Sequence, residues 1–600
     1  MKECRVNASS NQRSVLLCLC ILFLFALPSG AKKDLLTTYV TGEIREEVVS
    51  ESIENSGFHL SKWEMHEFAI QGYTRFDNPF TKTMLVGQFT SPSGKTKTID
   101  GFYDGGNTWR LRFVPDENGE WSYHLWGEGV EILQHGKINC TGTIGNGFIR
   151  INPINRFSFS RDNGTPFFPM GDTCYGLHDD SPITNELRAA YLKIRRENHF
   201  NFVRMTVGHS HDRAKADPDY WAWGGTTEKP DLDRFNPVFF RSLDTLLFQM
   251  RDCGMNVELL LLNFYRFPFT DVKMWTSERE KLWLRYLLSR YAAFDNIFLW
   301  TLANEYETHP DGKYRIEIPE NIDWVKKTAH FIKMYDPYNH LVTVHPVISS
   351  STRGTSPRDP FDQPWQIGGF YGDDNALDVL SQQTGQTGEG IIWNEELNCW
   401  EGDDPHLLAS LKADLCYGKP VLNTENGYEY QKGHPTERKQ VHHTDKVRRT
   451  SWRIICGGGY FAAGFHGTIG HSDVWNRIDA PNHYTFSLES EGAATQLSYL
   501  YQFFNVLPYW KMRPLDGAVG DAVVLAEKEK VYVAFFPQGG ELILDLKGIR
   551  QMEQKWFNPR TGEFLKETII RGGKKQKFKT PDEKDWTLLL TVNNKEAYKR

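Results

Sequence analysis

Two glutamates in this 600-residue chain stand where carboxyl groups could work in concert. Glu305 closes the run Ile297-Phe298-Leu299-Trp300-Thr301-Leu302-Ala303-Asn304-Glu305, and Glu425 closes Pro420-Val421-Leu422-Asn423-Thr424-Glu425. Parallel strands covered on both faces read as near-continuous apolar runs, so each carboxyl is delivered at the C-terminal end of a strand. Two carboxyls held roughly 5 to 5.5 Å apart can cleave a glycosidic bond with retention, one protonating the leaving oxygen while the other attacks the anomeric carbon. Asn-Glu also occurs at Asn185-Glu186 and Asn394-Glu395, so the signal lies in the strand-end position and not in the dipeptide.

Such a pair needs a scaffold of alternating strands and helices. From about Phe167 the pattern has that form, with candidate strands Phe167 to Cys174, Asn201 to Val207, Asn256 to Asn263, Ile297 to Glu305, Leu341 to His345, Leu377 to Gln382, Pro420 to Glu425 and Tyr460 to His466. The sixth is the weakest. Between them run helical periodicities such as Phe239, Leu243, Leu246, Met250, stopped by Gly254, and Ile322, Val325, Ala329, Ile332, stopped before Pro337. Ser277 with Glu280 reads as a capping box. Eight strands with helical crossovers predict a (β/α)8 barrel over residues 148–511, in which strands four and seven face each other across the mouth. The other strand ends carry Asp172, Cys174, Arg204, Asn263, Asn304, His345 and His466. Asp172 is expected to bind sugar hydroxyls, and Glu258, inside strand three, to be an interior charge paired within a layer. His209, His211, Asp212 and Asp217 share the loop after strand two, where sugar contacts are expected and a metal is not.

The flanks have a different texture. Residues 51–147 alternate with period two, as in Trp109-Arg110-Leu111-Arg112-Phe113, between closely spaced turn signals; residues 512–600 do the same, as in Val531-Tyr532-Val533-Ala534-Phe535. Each is expected to be a β-sandwich. At the N-terminus Lys2, Arg5 and Arg13 precede the apolar run Val15 to Pro28 and the small residues Ser29-Gly30-Ala31, which reads as a signal peptide over 1–31, followed by a polar linker over 32–50. A secreted or periplasmic mature chain without a membrane span is the expectation. The six remaining cysteines are scattered without zinc-site spacing; most are read as small buried hydrophobes, with a disulfide or two left open. A net charge of −7 argues against nucleic acid or an anionic membrane as the main partner, while 18 Trp suggest some flat faces for sugar rings. The oligomeric state cannot be read.

Asn-Glu ending strand four and Glu ending strand seven resemble the arrangement in clan A glycoside hydrolases. Met170-Gly171-Asp172-Thr173, Phe202-Val203-Arg204-Met205 and Trp300-Thr301-Leu302-Ala303-Asn304-Glu305 are closest to the apiosidase-like barrels of that clan. Gly101-Phe102-Tyr103-Asp104-Gly105 with Gly119-Glu120-Trp121-Ser122-Tyr123 resembles the sandwich preceding many secreted bacterial barrels. Trp556-Phe557-Asn558-Pro559-Arg560-Thr561-Gly562 resembles the collagen-binding-type sandwich usually fused behind them. The resemblance implies Glu305 as acid/base, Glu425 as nucleophile, Asn304 on the hydroxyl beside the anomeric carbon and Arg204 holding Glu425 ionised. It also implies that His345 tunes the acid or touches the sugar. Where many clan members end strand eight in Trp, this chain has Phe465-His466-Gly467, so Trp393, Trp400 or Trp475 would have to supply the sugar platform. The expectation is a secreted retaining glycoside hydrolase on plant or algal oligosaccharides, exo-acting, with no metal or organic cofactor. An endo-acting glycanase and an inactive carbohydrate-binding or adhesion protein are the alternatives.

Overall fold

The structure, a computed structural model, describes residues 57–592 apart from 73–75, 83–84, 128–129, 180–182, 209–210, 264–271, 307–318, 347–370, 385–390, 395–398, 405, 431–440 and 467–491. Among the described residues, eight parallel strands form the barrel: β1 (Met170–Thr173), β2 (Phe202–Thr206), β3 (Asn256–Leu260), β4 (Ile297–Thr301), β5 (Leu341–Thr343), β6 (Leu380–Gln382), β7 (Val421–Asn423) and β8 (Tyr460–His466). Ladders join β1 to β5 in sequence order, then β6 to β7 to β8, and β8 back to β1. The remaining seam, β5 to β6, is closed without a ladder. Asp378 and Val379 N–H donate to the Val342 carbonyl at 2.9 and 3.3 Å, and Thr343 Oγ1 donates to the Val379 carbonyl at 2.7 Å. The strand that is faintest in sequence thus has a ladder on one side only.

Aromatic rings pack near the N-terminal ends of the strands. A three-stranded antiparallel sheet (Ile149–Ile151, Phe159–Arg161, Pro166–Phe167) sets Phe159 and Phe167 against Phe298, with ring centroids 5.2 and 5.4 Å apart. Phe298 is the extra residue of a β-bulge, since Val257 pairs with Ile297 but Glu258 pairs with Leu299; its ring also meets Phe202. The bulge puts the neighbouring Phe298 and Leu299 in the same core, where simple alternation would separate them.

The crossover helices are α1 (Asn185–Glu197), α2 (Pro237–Asp252), α3 (Ser277–Tyr291), α4 (Pro319–Tyr335), α5 (Leu407–Leu415), α6 (Thr444–Cys456) and α7 (Ala493–Asn505). Helix α2 begins with the Asn236 side chain accepting from Val238 N–H and Pro237 in the first turn, and is followed by Gly254 at φ +72°. The capping box expected at Ser277 is not formed. Thr276 is the cap, accepting from Arg279 N–H, so Glu280 lies one position too late to close the box. Its carboxylate instead accepts from the indoles of Trp275 and Trp324 at 3.0 and 2.8 Å.

Both flanks are two-sheet β structures. In the N-terminal one, a five-stranded sheet and the three-stranded sheet His66–Gln71, Thr108–Phe113, Phe102–Gly105 enclose the stacked pair Phe89 and Phe113. In the C-terminal one, a seven-stranded sheet packs on a three-stranded one around Tyr532, Leu542 and Phe578. Trp452 of α6 stacks on Phe535 of that sheet, and Arg448 makes a two-pronged contact with Asp585 at 2.8 and 3.0 Å.

The N-terminal unit is held to the barrel by buried charge. Arg112 donates to Glu67 at 2.7 Å within its own sheet and reaches Asp244 of α2; Asp244 also receives Arg290 of α3 at 2.8 and 2.9 Å. Arg290 reaches back to Asp104 at 2.9 Å, and Arg110 binds Glu67 and Asp104, so three guanidiniums answer three carboxylates. Burial would raise the Asp244 carboxyl, but Arg112 and Arg290 outweigh it and bring it to about 2. Its contribution to stability is therefore complete above the value of a free aspartate, about 4, and is lost as pH falls through about 2. Asp244→Ala, which takes one of two carboxylate partners from each of two buried guanidiniums, should destabilise the protein by about 3–5 kcal/mol at neutral pH. That deficit, read from urea unfolding, should shrink as the buffer is taken toward pH 2; a loss under about 1 kcal/mol at pH 7 would show that the lock holds little.

Candidate active site

The strand-end side chains converge on one guanidinium. Arg204 of β2 is fully buried in the barrel. Its Nε donates to Glu258 Oε1 at 3.2 Å, its Nη1 to Glu425 Oε1 at 2.8 Å and to the Tyr175 hydroxyl, and its Nη2 to Asn304 Oδ1. Thr301 Oγ1 donates to the same Glu258 oxygen at 2.8 Å, completing the interior layer expected for that residue. Tyr175 stands two residues past β1 and gives its hydroxyl proton to Glu425 Oε1. One carboxylate oxygen therefore receives both a guanidinium and a phenol.

Glu305 is held through its backbone. Past Thr301 the regular ladder ends, and Asn304 pairs with Asn263 as an isolated bridge. The Tyr306 N–H reaches the His345 carbonyl at 3.1 Å, and the Glu305 N–H reaches His345 Nδ1 at 3.4 Å. Between these anchors Glu305 adopts φ +45°, a left-handed conformation that a side chain with a Cβ takes at a cost of about 1–3 kcal/mol. Burial, together with the nearby Arg204 charge, holds His345 well below the usual imidazole range, so it is neutral. Since its Nδ1 accepts, its Nε2 carries the proton; that nitrogen lies 3.9 Å from Glu425 Oε1.

The two carboxyls share a partner. Gln383, one residue past β6, sends its single amide nitrogen to Glu425 Oε2 at 2.8 Å and to Glu305 Oε1 at 3.2 Å. Those two oxygens are therefore no more than about 6 Å apart. Burial raises the Glu305 carboxyl, against the opposing Gln383 hydrogen bond and Arg204 charge. Burial also pushes Glu425 up to about 8, against a hydrogen bond from Tyr428. The 2.8 Å contact from Arg204 opposes that rise, because a guanidinium at that distance favours the carboxylate.

Of the residues singled out in sequence, Glu305, Glu425, Asn304, Arg204 and His345 meet here. Asp172 does not, which corrects the expectation that it binds sugar. Its Oδ2 accepts from Tyr191 at 2.8 Å and from Arg195, both on α1, so it lies on the helix-facing side of β1 with no exposed surface. Strand alternation explains this, since the next residue, Thr173, is the one that bonds across the mouth to the Thr424 carbonyl at 3.1 Å. His209 and Trp475 lie outside the described residues, as do the side chains of His466, Trp393 and Trp400. Tyr175 and Gln383 were missed. Each sits just beyond a strand, at the kind of position that exposed the glutamates, but neither carries a charge to draw attention to it. The loop after β2 is built up as a short helix (His211–Ala216) and a hairpin (Trp223–Gly225 with Pro230–Phe235). Its Trp221 and Trp223 are buried, the latter stacked on Trp283 at 4.8 Å, so they fill core and offer no platform. Among the described residues no His, Cys, Asp or Glu cluster could hold a metal, Cys140, Cys253, Cys416 and Cys456 are free, and no helix is long and apolar enough to cross a membrane.

Two glutamates thus stand at the ends of β4 and β7 of a closed eight-stranded barrel. The chain belongs to the apiosidase-like catalytic domain family, whose model matches residues 154–511, more than half of its length. Residues 59–126 match a domain of unknown function (DUF5060), and residues 516–591 match the family described as "Putative collagen-binding domain of a collagenase". Among solved structures, a "putative glycoside hydrolase" from Bacteroides vulgatus ATCC 8482 is similar at 20% identity and TM-score 0.66, over 89% of this chain and 100% of that one. A glycoside hydrolase family 5 protein from the same organism is similar at 17% identity and TM-score 0.56, over 76% of this chain and 95% of the other. None of the curated proteins matches the chain.

The strain at Glu305 is separable from its chemistry. Glu305→Gly relieves the positive φ and removes a desolvated carboxyl, so it should unfold at a urea concentration no lower than the parent's, whereas Glu305→Gln keeps the strain. A drop of about 1 kcal/mol or more in Glu305→Gly relative to Glu305→Gln would mean that the backbone is unstrained there.

Proposed function

We propose that the protein is a secreted, retaining glycoside hydrolase acting by double displacement, with Glu425 as nucleophile and Glu305 as acid/base. The observation that carries this reading is the single amide nitrogen of Gln383 in contact with both carboxyls, which keeps their facing oxygens within about 6 Å. Retention calls for a separation of roughly 5 to 5.5 Å, whereas inversion needs roughly 6.5 to 9.5 Å to seat a water. The roles follow from the partners. Glu425, beside Arg204 and Tyr175, is the charged group able to attack the anomeric carbon. Glu305, raised by burial, holds the proton for the leaving oxygen and afterwards takes one from water. Asn304, its Oδ1 fixed by Arg204, is oriented to donate from its amide nitrogen to the hydroxyl beside the anomeric carbon.

The substrate is an oligosaccharide of plant or algal origin, taken from one end. Support for end-on action comes from the mouth of the barrel, where strands Tyr428–Tyr430, Val441–His442, Cys399–Gly402 and Ile391–Asn394 continue from the end of β8 as a small mixed sheet. Export is supported by the basic and apolar pattern of residues 1–31.

Aryl glycosides, an aryl apioside among them, and the matching fluorosugars test the reaction. A fluorosugar should leave a covalent adduct on the peptide containing Glu425, seen by mass spectrometry, and Glu425→Ala should lose activity by about 10⁴-fold or more. Normal turnover in Glu425→Ala, or an adduct elsewhere, overturns the assignment. Glu305→Gln should be nearly inert on poor leaving groups yet partly active on dinitrophenyl glycosides; equal loss on both would exclude an acid role.

The pH profile should be a bell. Rate falls on the acid side as Glu425 gains a proton and on the alkaline side as Glu305 loses one, and the alkaline limb should lie above the usual glutamate range because burial raises Glu305. The limb should vanish in Glu305→Gln on activated substrates.

A further inference from the structure

We propose, resting on the reading of Glu305 and Glu425 as acid/base and nucleophile, that Gln383 is the positioning and recognition residue of the site. Its amide nitrogen clasps both carboxyls, and its amide oxygen receives a hydroxyl of the bound sugar ring.

The geometry assigns the two ends of the side chain. A primary amide has one nitrogen with two protons and one oxygen with acceptor sites only. The atom facing the carboxyls touches an oxygen of each, at 2.8 Å for Glu425 and 3.2 Å for Glu305, and at least one of those is a carboxylate; only the nitrogen can serve both. The oxygen is thereby turned away from the pair. It is buried, and no hydrogen-bond donor of the described protein reaches it, in a residue only 9% exposed. A buried acceptor without a donor is costly, and a ligand hydroxyl removes that cost on binding. The donor available at this place, against the carboxyls that flank the anomeric carbon, is a ring hydroxyl of the sugar being transferred.

The choice of glutamine suits the proton traffic. In double displacement Glu425 loses its charge while Glu305 loses its proton, and the order reverses in the second half. A neutral amide donates to whichever carboxyl is charged without adding a fixed charge of its own. A lysine there would favour both ions at once, and an acid would repel them. Gln383 is also the first residue beyond β6, the strand tied to β5 by the fewest backbone bonds, so the side chain itself links the β6 end to the ends of β4 and β7.

Gln383→Met keeps length and removes both ends; Gln383→Glu keeps size and replaces donor by acceptor. The free protein labelled with ¹³Cδ-glutamate gives the first test, since carboxyl titrations are read by NMR without any substrate and are assigned with Glu305→Gln and Glu425→Gln. Loss of the shared donor destabilises the ionised form of each carboxyl, so in Gln383→Met both titrations should move to higher pH, and further still in Gln383→Glu. Unchanged titrations of both carboxyls in either variant overturn the clasp, whatever becomes of the glycosidase reading. The second test uses monodeoxy versions of an aryl glycoside that the parent cleaves. The parent should lose about tenfold or more in kcat/KM on one particular deoxy position, and Gln383→Met should show no further loss at that position. Equal penalties in parent and variant at every position overturn the hydroxyl contact. An absence of turnover on any glycoside would count against the proposed function alone, leaving the titration result standing.

Discussion

Everything at the mouth of this barrel hangs on one positive charge in a dry place. Arg204, with no exposed surface, faces Glu258, Glu425, the Tyr175 hydroxyl and the Asn304 amide oxygen at once. A single guanidinium cannot neutralise three neighbouring glutamates. The shorter contact goes to Glu425 at 2.8 Å and the longer to Glu258 at 3.2 Å, and the Arg204 charge is also felt at Glu305. Burial and a shared cation act on these carboxyls in opposite directions.

The frame around that charge is stiff where the site needs it. Arg112, Arg290 and Asp244 bind the N-terminal sheets to α2 and α3, and Arg448 with Trp452 binds the C-terminal sheets to α6. The strand ends depart from regularity within this frame. Thr301 ends the β4 ladder, Asn304 is caught by Asn263, and Glu305 is turned into a left-handed conformation that its hydrogen bond to His345 helps to hold. A rigid surround permits local strain to persist, and here the strain aims a carboxyl.

The apolar runs, their spacing and the breaks between them determined the barrel, the two flanking β units, and the positions of Glu305 and Glu425, because burial on both faces leaves so few polar residues in a parallel strand that those at its end stand out. The same reasoning reached Arg204, Asn304 and His345, and placed Glu258 inside the barrel. Tertiary structure decided what one-dimensional reading cannot. Whether Asp172 faces the mouth or α1 depends on strand rotation, and a one-residue change of phase reverses it. Whether Ser277 or Thr276 caps α3 depends on where the backbone turns helical. Tyr175 and Gln383 entered the site because the residues just beyond β1 and β6 turn toward the glutamates, and an uncharged side chain just past a strand looks in sequence like any loop residue. The distance between the two glutamates, 120 positions apart along the chain, was likewise set only when the barrel closed and one amide nitrogen came within reach of both.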